Sequence, residues 1–206
     1  MAVSKMHSAA AIAEAYAAGL RLFGENRVQE WQQKRAELGE LIDAKMHLIG
    51  PLQSNKTNKG AEIFDAVDSV DSLKIAVRLD AASRALGRRL PILIEVKLSH
   101  EETKHGIAPC ELPALLEAMS GMEGLLPSGL MTVPPWSEDA ETARPYFREL
   151  RRLLDASLAV CPTLTALSMG MSNDFAVAIE EGSTCVRIGT ALFGRRVRAA
   201  EPDFLG

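Results

Sequence analysis

Lys5 is the residue around which a chemistry can be built. It directly follows the short apolar run Ala2-Val3. A lysine at the end of a strand that feeds a barrel mouth is costly to bury as an ammonium. Its ordinary pKa of ~10.4 leaves it charged at neutral pH. Burial, or a cation such as Arg187 nearby, pushes a lysine toward the range of about 7–8 that suits a Schiff-base amine. The plainer alternative is a surface lysine close to a chain terminus. A second group of residues suits an anion: Ser168-Met169-Gly170-Met171-Ser172 and Gly189-Thr190. Glycine lets backbone approach a ligand closely, and the hydroxyls of Ser172 and Thr190 add donors. Ser172 is read as the start of a helix whose apolar face is Phe175, Ala178 and Ile179, so its N-terminus would face the anion. Singly, Gly170, Gly182 and Gly189 are equally well read as turn-shaping residues.

Other motifs carry less. Gly50 to Thr57 reads G-P-L-Q-S-N-K-T, one residue from a nucleotide P-loop. Asn55 stands where the second glycine belongs, and Pro51 removes an N–H that such a cradle uses. His7, His47, His100 and His105 show no metal-ligand spacing, so no metal is expected. His47 reads as a hydrogen-bonded core histidine. Glu101, Glu102 and Lys104 read as a solvated loop.

These groups need a scaffold that collects them. Eight apolar runs recur along the chain: Ala2-Val3, 21–24, 46–49, 64–67, 92–96, 129–132, 164–167 and 185–188. The stretches between them have helical period. Ile12, Tyr16 and Leu20 share a face, as do Ala140, Ala143, Phe147, Leu150 and Leu154. Ser8, Ser72 and Ser137 stand at N-cap positions, and Gly19 and Gly182 at C-terminal ones. Strands alternating with helices imply parallel pairing. The fold class is therefore α/β, a single (β/α)8 TIM-type barrel over residues 1–206 with a loose tail at 197–206; a doubly wound open sheet is the alternative. In such a barrel active groups lie at the C-terminal ends of the strands. That rim would collect Lys5, Asn26, the loop 50–56, Ser168, Met171, Ser172, Gly189 and Thr190.

Composition narrows the function classes. The chain has 206 residues, 47% hydrophobic and 24% charged, which is ordinary for a globular protein. A net charge of −4 and a pI near 5.6 offer no basic face for nucleic acid. The arginine pairs Arg88-Arg89 and Arg151-Arg152 read as solvated charge. Cys110, Cys161 and Cys185 are odd in number and far apart, which suits reduced thiols in the cytoplasm and argues against a disulfide framework. No signal peptide and no membrane span are expected.

A family resemblance runs along nearly the whole chain. Its carriers are Val3-Ser4-Lys5, Phe23-Gly24-Glu25-Asn26 with Val28-Gln29-Glu30, and His47-Leu48-Ile49-Gly50-Pro51-Leu52-Gln53-Ser54-Asn55-Lys56. Further on come Gly129-Leu130-Met131-Thr132, Leu167-Ser168-Met169-Gly170-Met171-Ser172-Asn173-Asp174, Ala178-Ile179-Glu180-Glu181-Gly182-Ser183-Thr184, Val186-Arg187-Ile188-Gly189-Thr190 and Phe193-Gly194. Together they resemble the YggS/PROSC-type pyridoxal phosphate homeostasis protein family, whose barrel is similar to the N-terminal domain of alanine racemase (fold type III).

The resemblance implies that pyridoxal 5′-phosphate (PLP) is the cofactor and that Lys5 holds it as an aldimine. It implies that Arg187 partners the pyridine nitrogen, that Ser168, Met171, Ser172, Gly189 and Thr190 form the phosphate site, and that Asn26 lies near the ring. It implies a cytoplasmic monomer in PLP homeostasis, with PLP-requiring enzymes as partners and no established turnover. Arginine stays charged and gives the ring no proton, so the cofactor is a weaker electron sink than with a carboxylic partner. Racemases add a second domain with a tyrosine base; here Tyr16 and Tyr146 read as packing residues. An amino-acid racemase-like enzyme of fold type III is the alternative, and a PLP-independent enzyme acting on a phosphorylated metabolite is a third. The sequence departs from the family in Ser8 for a usual proline, Arg27 for a common aromatic and Lys97 for a common asparagine. The family's N-terminal helix is missing, so strand one is expected to be a stub with incomplete barrel hydrogen bonds.

Overall fold

A computed structural model describes residues 1–39, 41–99, 101 and 105–194. His100, Glu102, Lys104 and the tail 197–206 of the sequence reading lie outside these residues. The strands are β1 (Ala2–Val3), β2 (Leu22–Glu25), β3 (Lys45–Leu48), β4 (Ala66–Val70), β5 (Leu90–Glu95), β6 (Leu125–Met131), β7 (Ala166–Met171) and β8 (Cys185–Arg187). They form one sheet in sequence order, and every pairing is parallel. The sheet closes on itself. The Val3 N–H donates to the Ile188 carbonyl at 2.8 Å, and the Ile188 N–H to the Met1 carbonyl at 2.9 Å. Closure removes the open-sheet alternative. It also corrects the expectation for strand one: β1 has two residues, yet it is paired on both sides.

The helices are α1 (Ala9–Ala17), α2 (Val28–Leu38), α3 (Thr57–Ile63), α4 (Leu73–Ala85), α5 (Leu112–Met119), α6 (Arg144–Ser157), α7 (Phe175–Glu180) and α8 (Thr190–Phe193). Local signals explain where several begin. The Ser8 hydroxyl accepts from the Ala11 N–H at 3.2 Å, and the Ser72 hydroxyl accepts from the Ile75 N–H at 3.4 Å, each satisfying an orphan donor of a first turn. Ser137 does not cap α6. A 3-10 turn capped by Asp139 intervenes, and Ser137 accepts from the Asp139 N–H instead. Arg88 and Arg89 are more than solvated charge: they donate to the carbonyls of Ala61 and Leu125.

The main core lies between the barrel wall and the helices. Phe23, Leu48, Val67, Ile92, Leu125 and Leu130 on the strands meet Ile12, Ala61, Leu79, Leu112 and Phe147 on the helices, all essentially buried. The helix of Phe175, Ala178 and Ile179 differs from expectation. It begins at Phe175, not Ser172, and its buried residues are Val177 and Ala178. Phe175 and Ile179 are exposed.

Polar residues are also buried on the strands. Glu25, Asp68, Ser69, Ser168 and Arg187 are buried strand residues. This explains three misplaced strand ends. β2, β4 and β7 run on through Glu25, Asp68-Ser69 and Ser168 respectively, where a hydrophobic pattern stops.

Candidate functional site

The C-terminal ends of the strands surround a cavity of about 470 Å³, within the range that holds small-molecule cofactors. Lys5, Asn26, Met171, Ser172, Arg187, Gly189 and Thr190 all line it. Lys5 is half-buried in the turn that follows β1. Asn26 follows β2 and is held by close contact. A Cβ on Gly50 would lie 2.4 Å from the Asn26 carbonyl oxygen and 2.8 Å from its Cα. Only glycine at 50 lets the loops after β2 and β3 approach this far.

Arg187 is 5% exposed. Its Nη1 donates to the Ser168 hydroxyl at 2.7 Å and its Nη2 to the Thr132 carbonyl at 2.8 Å. Burial pulls its pKa below the ordinary arginine value, and the charge of Asp68, then Cys185, Glu95 and Asp174, opposes that fall. Arginine titrates so high that the side chain stays a cation. It gives the cavity a fixed positive group that, among the described residues, has no carboxylate bonded to it.

The loop after β7 and the turn after β8 face the same space. The Met171 N–H donates to Asp174 Oδ1 at 2.6 Å, and Asn173 Nδ2 donates to the Ser137 carbonyl at 2.8 Å. These bonds hold the 171–174 loop in shape. Among the described residues, the Ser172 and Thr190 hydroxyls have no hydrogen-bond partner, so both remain available to a ligand. A buried cation and two free hydroxyls in one cavity fit the ring nitrogen and the phosphate of a vitamin B6 cofactor. The Lys5 amine in the same cavity fits its aldehyde.

Ser168, which the sequence reading put in the anion cradle, is placed elsewhere. It is fully buried within β7, pairs with Cys185 across the sheet, and sits behind Arg187. A strand ending at Leu167 would place it on the rim, but β7 runs on to Met171. Other wall residues were missed: Glu95, His105, Trp136 and Asp174. Glu95 had a usable signal, since a carboxylate ending a barrel strand lies on the active rim. Trp136 is 72% exposed, and it follows Pro134-Pro135 in a long loop. His47 is hydrogen-bonded, Nδ1 to Asp68 Oδ1 at 3.0 Å. Among the described residues no cluster could hold a metal ion, and no tyrosine lines the cavity. Tyr16 donates to Asp43 Oδ1 at 2.6 Å in the turn before β3.

Residues 1–197 match the family "Alanine racemase, N-terminal domain". The chain is 50% identical over 197 residues to the pyridoxal phosphate homeostasis protein of Pseudomonas aeruginosa, covering 95% of this chain and 84% of that one. It is 43% identical over 202 residues to the protein of the same name from Escherichia coli K12, covering 95% and 85%. Among solved structures, PipY of Synechococcus elongatus with PLP bound superposes with a TM-score of 0.89 at 45% identity, covering 94% of this chain and 91% of that one. Alanine racemase from Bartonella henselae superposes at 0.74 with 19% identity, covering 96% and 58%, a likeness of fold.

Proposed function

Because the chain belongs to the pyridoxal phosphate homeostasis protein family, built on the alanine racemase N-terminal domain, we propose that it binds PLP in the cavity at the strand ends and serves PLP homeostasis. The observation that carries this reading is that Lys5, Arg187, Ser172 and Thr190 all line one cavity. When bound, PLP supplies an aldehyde for covalent attachment and a ring that withdraws electrons. Lys5 supplies the attaching amine. Arg187 holds a positive charge toward the ring nitrogen and donates no proton to it. Ser172, Gly189 and Thr190, with the Met171 end of β7, hold the phosphate, and Asn26 borders the ring.

Holding, not turnover, is the proposed role. An arginine-partnered ring stabilises substrate carbanions poorly. Amino-acid α-proton exchange into heavy water no faster than with free PLP is the expected result, and faster exchange would favour the racemase-like alternative. We further propose that it acts as a monomer in the cytoplasm and passes PLP to PLP-requiring enzymes. The free thiols Cys110, Cys161 and Cys185 suit that compartment. No helix among the described residues is long and apolar enough to cross a membrane.

The test is an absorbance titration of the purified protein with PLP. A protein-bound band that is lost in Lys5→Ala supports the reading. A protein that takes up no PLP refutes it.

A further inference from the structure

Lys5 sits between two residues whose backbones are pinned from a neighbouring helix. On one side is Ser4, fully buried. Its N–H donates to the Gly24 carbonyl at 3.0 Å, and its carbonyl accepts from the His7 N–H at 3.0 Å and from Lys34 Nζ at 2.9 Å. Its hydroxyl donates to Glu25 Oε1 at 2.6 Å. On the other side is Met6, with φ 63°, the one non-glycine residue with positive φ among the described residues. Such a conformation is strained for a residue with a side chain. The Met6 N–H donates to Glu30 Oε1. Lys34 joins the two sides. Besides the Ser4 carbonyl, its Nζ donates to Glu25 Oε1 at 2.8 Å and to Glu30 Oε1 at 2.7 Å. All three ammonium donors are therefore used.

This arrangement is expensive for mere packing. Lys34 is 7% exposed and Glu25 0%, and Glu25 Oε2 is buried with no partner among the described residues. Apolar residues would fill such a place at no greater cost in stability. What the charges achieve is to fix the peptide groups before and after Lys5, so that a strained turn has one shape. Strain that the surroundings over-determine belongs where geometry serves a function.

We infer that Lys34 and Glu30 are positioning residues for Lys5, clamping the turn so that its amine is aimed into the cofactor cavity. The inference rests on the reading that Lys5 attaches PLP. In that step the amine nitrogen adds to the aldehyde carbon, a carbon–nitrogen double bond replaces the carbon–oxygen one, and the oxygen leaves as water. A pre-aimed amine raises the rate of addition without changing how the phosphate is bound.

The test separates these two quantities in the whole chain. Affinity is measured with pyridoxine 5′-phosphate, which has no aldehyde. The rate of covalent attachment is measured with PLP by rapid-mixing absorbance. In Glu30→Leu, attachment is expected to slow about tenfold or more, the effect of one charge-assisted hydrogen bond, while affinity for the alcohol stays the same. Glu30→Gln keeps an acceptor for the Met6 N–H and is expected to fall between. Lys34→Met folds less surely, since it strands the buried Glu25 charge; combined with Glu25→Gln it is expected to show the same split. In the ligand-free protein, hydrogen exchange at the Met6 amide is expected to quicken in Glu30→Leu. Attachment at the wild-type rate in Glu30→Leu, or a loss no larger than the loss in alcohol affinity, overturns the clamp. Failure of the wild type to attach PLP overturns the functional reading, and the clamp with it.

Discussion

Ser168→Ala distinguishes two ways in which this serine could serve the site. Its hydroxyl accepts from Arg187 Nη1 at 2.7 Å in a fully buried position. Removing it leaves a guanidinium N–H buried without a partner. A hydrogen bond to a charged group contributes about 1.5–3 kcal/mol. For a chain of this length, each kcal/mol moves the melting temperature by about 2–4 °C. The expected fall in Tm is therefore roughly 3–12 °C. The binding assay compares PLP with pyridoxal, which lacks the phosphate. If Ser168 acts only by holding Arg187 against the ring, the affinities for both fall together and their ratio stays at the wild-type value. If Ser168 touches the phosphate, the PLP affinity alone falls and the ratio drops. A lower ratio, or an unchanged Tm, refutes the argument that Ser168 stands behind Arg187 and not in the cradle.

Three further outcomes follow from the same geometry. Gly50→Ala would push a Cβ to 2.4 Å from the Asn26 carbonyl; overpacking of this kind costs about 1–3 kcal/mol, read as a lower Tm together with weaker PLP binding. Burial holds the Glu25 carboxyl above its ordinary pKa, against the hydrogen bonds from Lys34 and Ser4. The folded state then binds more protons than the unfolded one, so this group's contribution to stability is present below the unfolded carboxylate pKa and is lost as pH rises toward the folded value. Tm measured upward from about pH 4.5 should show Glu25→Gln gaining on the wild type, and a parallel pair of curves would contradict it. Arg144 bonds Glu141, Glu180 and Glu181 at 2.6–2.7 Å, tying α6 to α7. The hydrogen bonds from Arg144 hold Glu141 and Glu181 below the ordinary carboxylate pKa. Arg144→Ala should lower Tm at neutral pH, less so in high salt and less so in acid.

The barrel was legible because a parallel strand covered on both faces is largely apolar, as in Leu90–Glu95 up to its final carboxylate, and its helices carry period and caps, as at Ser8 and Ser72. The strand ends were harder to read because a barrel interior tolerates polar groups when they bond each other. Ser168 and Asp68 look like loop residues along the chain, yet each lies within a strand and pairs with a side chain from another one, Arg187 and His47. The cavity's outer wall was legible only in part. Lys5, Arg187, Ser172 and Thr190 lie at a strand end or within three residues of one, whereas His105 and Trp136 arrive on long connections whose path no periodicity records. The clamp was half visible. Glu30 and Lys34 are four apart on α2, the spacing of a helical ion pair. That their partner is the backbone on either side of Lys5 depends on how α2 lies against the end of β1, which is a tertiary fact.

The account stands on Lys5 being the amine that meets the cofactor. Borohydride reduction of the PLP-loaded protein, followed by peptide mass mapping, reads that directly. A stable pyridoxyl-phosphate adduct on the peptide containing Lys5, absent in Lys5→Ala, is the predicted result. An adduct confined to another lysine, such as Lys56 or Lys97, would contradict it.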